Sequence, residues 1–121
     1  MNLEHLKSIY KLSDKPESSL SIGYNRFAVY LYDENKSRIS IEFDDFKAMK
    51  LNPKKYFMDS DLKPSDTEIM EVLNSNWQKE IFENIEDEKE SINYKNNARH
   101  FIIPLENEFL EVIAFSIEFE D

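Results

Sequence analysis

The chain has 121 residues, 40% of them apolar, with nine Phe, six Tyr and one Trp, and a net charge of −10. That apolar content suffices for one hydrophobic core, and the length fits one domain spanning 1–121. With no Cys there are no disulfides or thiolate sites, and with a single Gly no loop of the usual kind can cradle a phosphate.

The charge is unevenly divided. Residues 1–58 carry ten Lys/Arg against eight Asp/Glu, a balance of +2, and residues 59–121 carry five against seventeen, a balance of −12. Such a chain repels nucleic acid and anionic lipid and is steered toward basic surfaces. The first twenty residues hold no continuous apolar run, so the expectation is no signal peptide and a cytoplasmic protein. Lys, Asn and Ile together number 35 while Gly, Ala, Arg and Pro number 12, a bias toward A/T-rich codons that suggests a low-GC bacterial or mobile-element gene.

In chain order, Leu3, Leu6, Ile9 and Tyr10 fall at helical spacing and predict a short helix over 2–12. A loop follows over Ser13–Ser19. Ser21–Tyr24 extends the next strand or forms one before it, with Gly23 at a bend or bulge. Phe27, Val29 and Leu31 alternate with polar or aromatic neighbours. Beyond a polar turn at Asp33–Ser37, Ile39, Ile41 and Phe43 do the same, which predicts a hairpin with one apolar face. Asp44 or Asp45 is expected to cap a short helix through Leu51, and Asn52-Pro53 to open a helical turn through Phe57.

After a loop at Asp59–Pro64, Ser65 and Glu68 form a capping-box pattern. Ile69, Val72, Leu73, Trp77, Ile81 and Ile85 then form a stripe that predicts the longest helix, to about residue 86. Glu86–Asn97 reads as an exposed connection. His100–Leu105 and Glu108–Phe119 read as a second hairpin around Glu106-Asn107, its last strand apolar on both faces and so central in a sheet. The expected fold is α+β, with an antiparallel sheet of four to five strands from two hairpins. It packs against one long and two or three short helices.

Two acidic groups stand out. Glu83, Glu86, Asp87, Glu88 and Glu90 cluster at the end of the predicted long helix, where the dipole prefers cations. Glu106, Glu108, Glu111, Glu118, Glu120 and Asp121 fill the last sixteen residues with no cation among them; such a run also serves as a solubilising rim that discourages edge pairing. On the first hairpin strand, Tyr24, Arg26, Ala28, Tyr30 and Tyr32 share the face opposite the apolar one, which suits either interface anchors or a face covered by helices.

Other constellations carry less. Asp59-Ser60-Asp61 fails as a calcium loop because Pro64 stands at the glycine position and Met70 where the closing Glu belongs. Asp87-Glu88-Lys89 matches an acid-x-Lys nuclease fragment but belongs to a surface that DNA would avoid. Glu42, Asp44 and Asp45 are explained by capping, so no metal or other cofactor is expected. His5 and His100 are isolated and read as partly exposed structural residues, with no triad spacing and no catalytic residues foreseen.

In size, acidity, lack of cysteine and α+β pattern the chain resembles bacterial toxin-immunity proteins, including those of contact-dependent inhibition systems. The resemblance implies a non-enzymatic cytosolic inhibitor that occludes a basic partner such as a nuclease toxin. The two acidic groups, with Tyr30 and Tyr32, are the candidate contacts. The alternatives are a phage-type inhibitor of a host defence nuclease, which would use the same physics, and a small ligand-binding or enzymatic domain, which would show a concave pocket.

Overall fold

The computed structural model describes residues 3–12, 17–23, 26–32 and 38–120. The predicted loop's first part (13–16), the turn at 33–37, Tyr24 and Asp121 lie outside the described residues. The fold is α+β and antiparallel, but it contains two sheets rather than one.

A five-stranded sheet has the order β1 (His5–Lys11), β6 (Glu68–Leu73), β7 (Arg99–Pro104), β8 (Glu108–Ala114), β5 (Ala48–Pro53). A four-stranded sheet has the order β2 (Glu17–Gly23), β3 (Arg26–Tyr32), β4 (Arg38–Asp44), β9 (Ser116–Glu120). The sheets pack face to face. Val29, Leu31, Ile41 and Phe43 of one meet Ile69, Phe101, Ile103, Leu110 and Val112 of the other, all at most 2% exposed. The rings of Phe43 and Phe101 sit 5.9 Å apart across the interface.

Two short helices, α1 (Asn76–Glu83) and α2 (Glu88–Asn97), cover part of the far face of the five-stranded sheet. Beneath them Ile113 packs with Tyr94, Ala98, Trp77, Ile81 and Phe82. A 3-10 turn at Lys54–Phe57 and the loop after it cover another part, where Phe57 and Leu62 pack on Val72, Ile102 and Phe109. The layers therefore run helix, five strands, four strands. Among the described residues no helix is long and apolar enough to cross a membrane.

The first hairpin forms as its alternation predicts, with Phe27 opposite Phe43, Val29 opposite Ile41 and Leu31 opposite Ile39. The stretch before it is a separate strand, β2, in full register with β3, and it takes in Glu17–Ser19, expected as loop. Gly23 pairs with Arg26 at the close of that hairpin.

Other expectations are corrected. The N-terminal segment is a strand. Its helical spacing arises because Leu6 faces the helix side while Ile9 and Tyr10 both face the inter-sheet core across a register shift between Ser8 and Tyr10. Residues 48–53 form β5 instead of a capped helix, after Asp45 takes a left-handed φ of 50° that turns the chain between sheets. Pro53 precedes the 3-10 turn as its cap residue, one position before the helical start expected of it.

The predicted long helix divides in two. Ile69 faces the inter-sheet core and Val72 the opposite cover, so an i, i+3 spacing comes from a strand buried on both faces. Asn74, at φ 58°, ends that strand, and Ser75 rather than Ser65 caps the helix, its hydroxyl accepting the Gln78 N–H at 3.0 Å. The Ser65 hydroxyl instead accepts the Thr67 N–H in a local turn. The segment expected as a connection is α2 from Glu88 onward. The last strand breaks at Phe115, leaving β8 in one sheet and β9 in the other. β8 is covered on both faces and lies between β7 and β5, as its composition predicts.

A buried polar seam and an open cleft beside it

The pairing of β7, β8 and β5 places His100, Glu111, Lys50 and Asn52 on the helix side of the five-stranded sheet. They occupy the seam between the two apolar covers. His100 and Glu111 are 3% and 4% exposed, so the expectation of a partly exposed His100 is overturned. The Ser75 hydroxyl, also 3% exposed, lies 2.7 Å from His100 Nδ1, and His100 Nε2 lies 2.9 Å from Glu111 Oε1.

With a neutral ring, the Ser75 O–H donates to Nδ1 and Nε2–H donates to Glu111, while Ser75 Oγ accepts the helix N–H of Gln78. Glu111 Oε2 accepts from Asn52 Nδ2 at 2.8 Å and faces Lys50 Nζ at 3.8 Å. Burial alone would push the Glu111 carboxyl up. The His100 hydrogen bond and charge, the Lys50 charge and the Asn52 hydrogen bond outweigh it and hold the carboxyl below its ordinary range. No buried side-chain polar atom among the described residues lacks a partner.

The set contains the atoms of a hydroxyl–imidazole–carboxylate relay, which the sequence spacing did not suggest. Its geometry is that of a structural knot. The hydroxyl is enclosed, and its oxygen already serves as the cap of α1. Two signals could have found it: Ser75-x-x-Gln78 is itself a capping-box pattern, and Glu111 interrupts an otherwise apolar buried strand.

Above the seam opens a cleft of about 230 Å³ whose lining includes His100, Glu111, Lys50, Trp77, Tyr56 and Glu80. The Trp77 ring stands edge-on to His100 at 5.1 Å and 77°, and Lys50 Nζ lies over it, 4.4 Å from its centroid. Glu4 also reaches the cleft, its carboxylate accepting the Asn76 N–H at 2.8 Å. A larger depression of about 760 Å³ adjoins it, sharing Glu4, Ser60, Leu62 and Asn76 and lined by no aromatic residue.

The sequence-derived contact residues that the structure describes fall in four places. Glu83, Glu86, Asp87, Glu88 and Glu90 are exposed on the helix layer. Asp87 caps α2 through the Glu90 N–H at 2.9 Å, and Glu88 and Glu90 sit in its first turn. For these three the adverse-dipole argument is reversed, because they complement the N-terminus of α2. It survives for Glu83 and Glu86, at and just past the end of α1, whose last turn holds no cation.

Glu106 is exposed in the β7–β8 turn and Glu108 half-buried at the start of β8, while Glu111 is in the seam and forms no surface contact. Glu118 and Glu120 are exposed on β9 at the opposite side of the molecule, sharing the outer face of the four-stranded sheet with Tyr30 and Glu42. The side chain of Tyr32 lies outside the described part. Among the described residues no three His, Asp or Glu groups gather to hold a metal ion. Comparison with family models, with curated proteins and with solved structures finds no match to this chain.

Proposed function

We propose that this chain is a binding protein that neutralises a basic protein partner by occlusion, as an immunity protein blocks a bacterial nuclease toxin, and that its helix side is the contact face. One observation carries the reading. Six carboxylates and a single lysine occupy residues 80–90, all but Ile81, Phe82 and Ile85 exposed, and the first of them, Glu80, lines the Trp77–Tyr56 cleft. Exposed apolar side chains flank that region: Leu3 and Tyr56, 72% and 63% exposed, line the two depressions. An aromatic and apolar centre with a predominantly acidic surround, Lys50 and Lys79 being the cations among its lining residues, is the composition of a steered protein interface.

The ligand-binding or enzymatic alternative draws on the cleft and on the low pKa of Glu111. Against it stands the engagement of both His100 nitrogens, which leaves neither free for chemistry. The test is capture from lysate of the source strain with the tagged chain, washed at low and high salt. The expected result is one basic protein at near-equal stoichiometry, released by salt, whose isolated activity the chain blocks at a 1:1 ratio. Absence of any basic protein at both salts overturns the proposal.

A further inference from the structure

We infer that the cleft between Trp77 and Tyr56 receives an arginine side chain of the partner protein; this rests on the binding function proposed above and names the chemistry of its anchor. The cleft already demonstrates cation binding within the chain. Lys50 Nζ is held there by the Trp77 ring at 4.4 Å and by Glu111 Oε2 at 3.8 Å, one aromatic and one carboxylate about a single ammonium.

That internal pair leaves charge over. Glu111 and Lys50 cancel, and Glu4 and Glu80 remain, so the lining keeps a balance of −2 for an entering cation. Glu4 is positioned by its hydrogen bond to the Asn76 N–H, and Glu80 is exposed on the first turns of α1 at the cleft mouth.

Shape selects the cation. About 230 Å³ gives room for one side chain. Because an ammonium already lies over Trp77, the entrant meets the solvent-open ring of Tyr56 and the rim carboxylates. A guanidinium is planar, weakly hydrated, able to stack on an aromatic ring and to pair with carboxylates through two parallel N–H donors, whereas a second ammonium can do only part of this. A basic partner presents such side chains, and a desolvated arginine in an aromatic pocket is a common interface anchor.

Trp77 is the only tryptophan, so its fluorescence reports on the cleft directly. The experiment titrates the intact chain with N-acetyl-argininamide and with the uncharged N-acetyl-citrullinamide, using the amide NMR shifts of Asn76 and Glu80 as a second readout. The inference expects a saturable response to the arginine amide only, weakened about two- to fivefold in Glu80→Gln, the size of one exposed ion pair. A silent titration by both readouts, or an equal response to citrulline, overturns it. Failure here is separable from failure of the function. If Glu80→Gln leaves partner affinity intact while Glu83→Gln/Glu86→Gln weakens it, the anchor is wrong and the binding function stands. If no basic partner exists, the function falls while binding of the arginine amide still reads the cleft.

Discussion

The molecule has two acidic outer faces, and they differ in everything except charge. On the four-stranded sheet, Glu42, Glu118 and Glu120 stand on an open sheet face, with Glu42 directly opposite Glu118. On the helix side, Glu80 lines a cleft with aromatic walls and exposed apolar neighbours, and Glu83 and Glu86 follow it, exposed, at and just past the end of α1. Glu118 and Glu120 lie on the edge strand β9, where charge prevents pairing with another chain and so has a use without any partner. Glu83 and Glu86 have no such use and oppose the dipole of α1. Negative charge alone does not mark a site; charge joined to concavity and aromatic surface does.

The helix face is also tied to the fold in a way the sheet face is not, because the floor of its cleft is the buried seam. Glu111→Ala should be the most damaging of the substitutions considered, costing about 3–5 kcal/mol by leaving the His100 N–H and the Asn52 amide without their acceptor and Lys50 without its ion pair. Denaturant unfolding at pH 7 measures it. The sign of the pH dependence follows from the lowered carboxyl. Its stabilisation is complete above the unfolded value of about 4.3 and is lost as pH falls through the lower folded value. The gap between wild type and Glu111→Ala should therefore begin to narrow near about pH 4 and close only below the lowered folded value.

Ser75→Ala should cost less, about 1–3 kcal/mol, from the lost cap of α1 and an unpaired His100 Nδ1. Hydrogen exchange should show the loss first at the amides of Gln78 and its neighbours. On the other face the effect reverses. Glu118→Lys turns a like-charge pair opposite Glu42 into an attractive one and should stabilise the protein by roughly 0.2–1 kcal/mol, read as a higher denaturation midpoint.

The same contrast explains what could be read from the sequence. The β3–β4 hairpin has one face in the core and one outside, so Val29, Leu31, Ile41 and Phe43 alternate with other residues and the period of two is plain. The five-stranded sheet is covered on both faces. There the period of two disappears, and Ile69 with Val72, or Leu6 with Ile9 and Tyr10, imitates a helix although the residues point to different covers. Burial on both sides is readable in β8 because its apolar run is nearly unbroken; in β6 the run is too short to distinguish from a helical stripe. The carboxylates of the helix layer were legible as exposed charge. The seam was not, because Ser75, His100 and Glu111 are brought together only by β7–β8 pairing and by the cap of α1.

The central claim is that the partner docks on the helix side, and a matched pair of variants tests it. Glu80→Gln/Glu83→Gln/Glu86→Gln and Glu42→Gln/Glu118→Gln/Glu120→Gln remove the same three charges, so long-range attraction falls equally and only location differs. The measurement is the affinity of the isolated basic partner for each variant. The helix-side variant should bind about tenfold or more weakly than the sheet-side variant, which should stay close to wild type. Equal affinities, or a larger loss on the sheet side, would contradict the account.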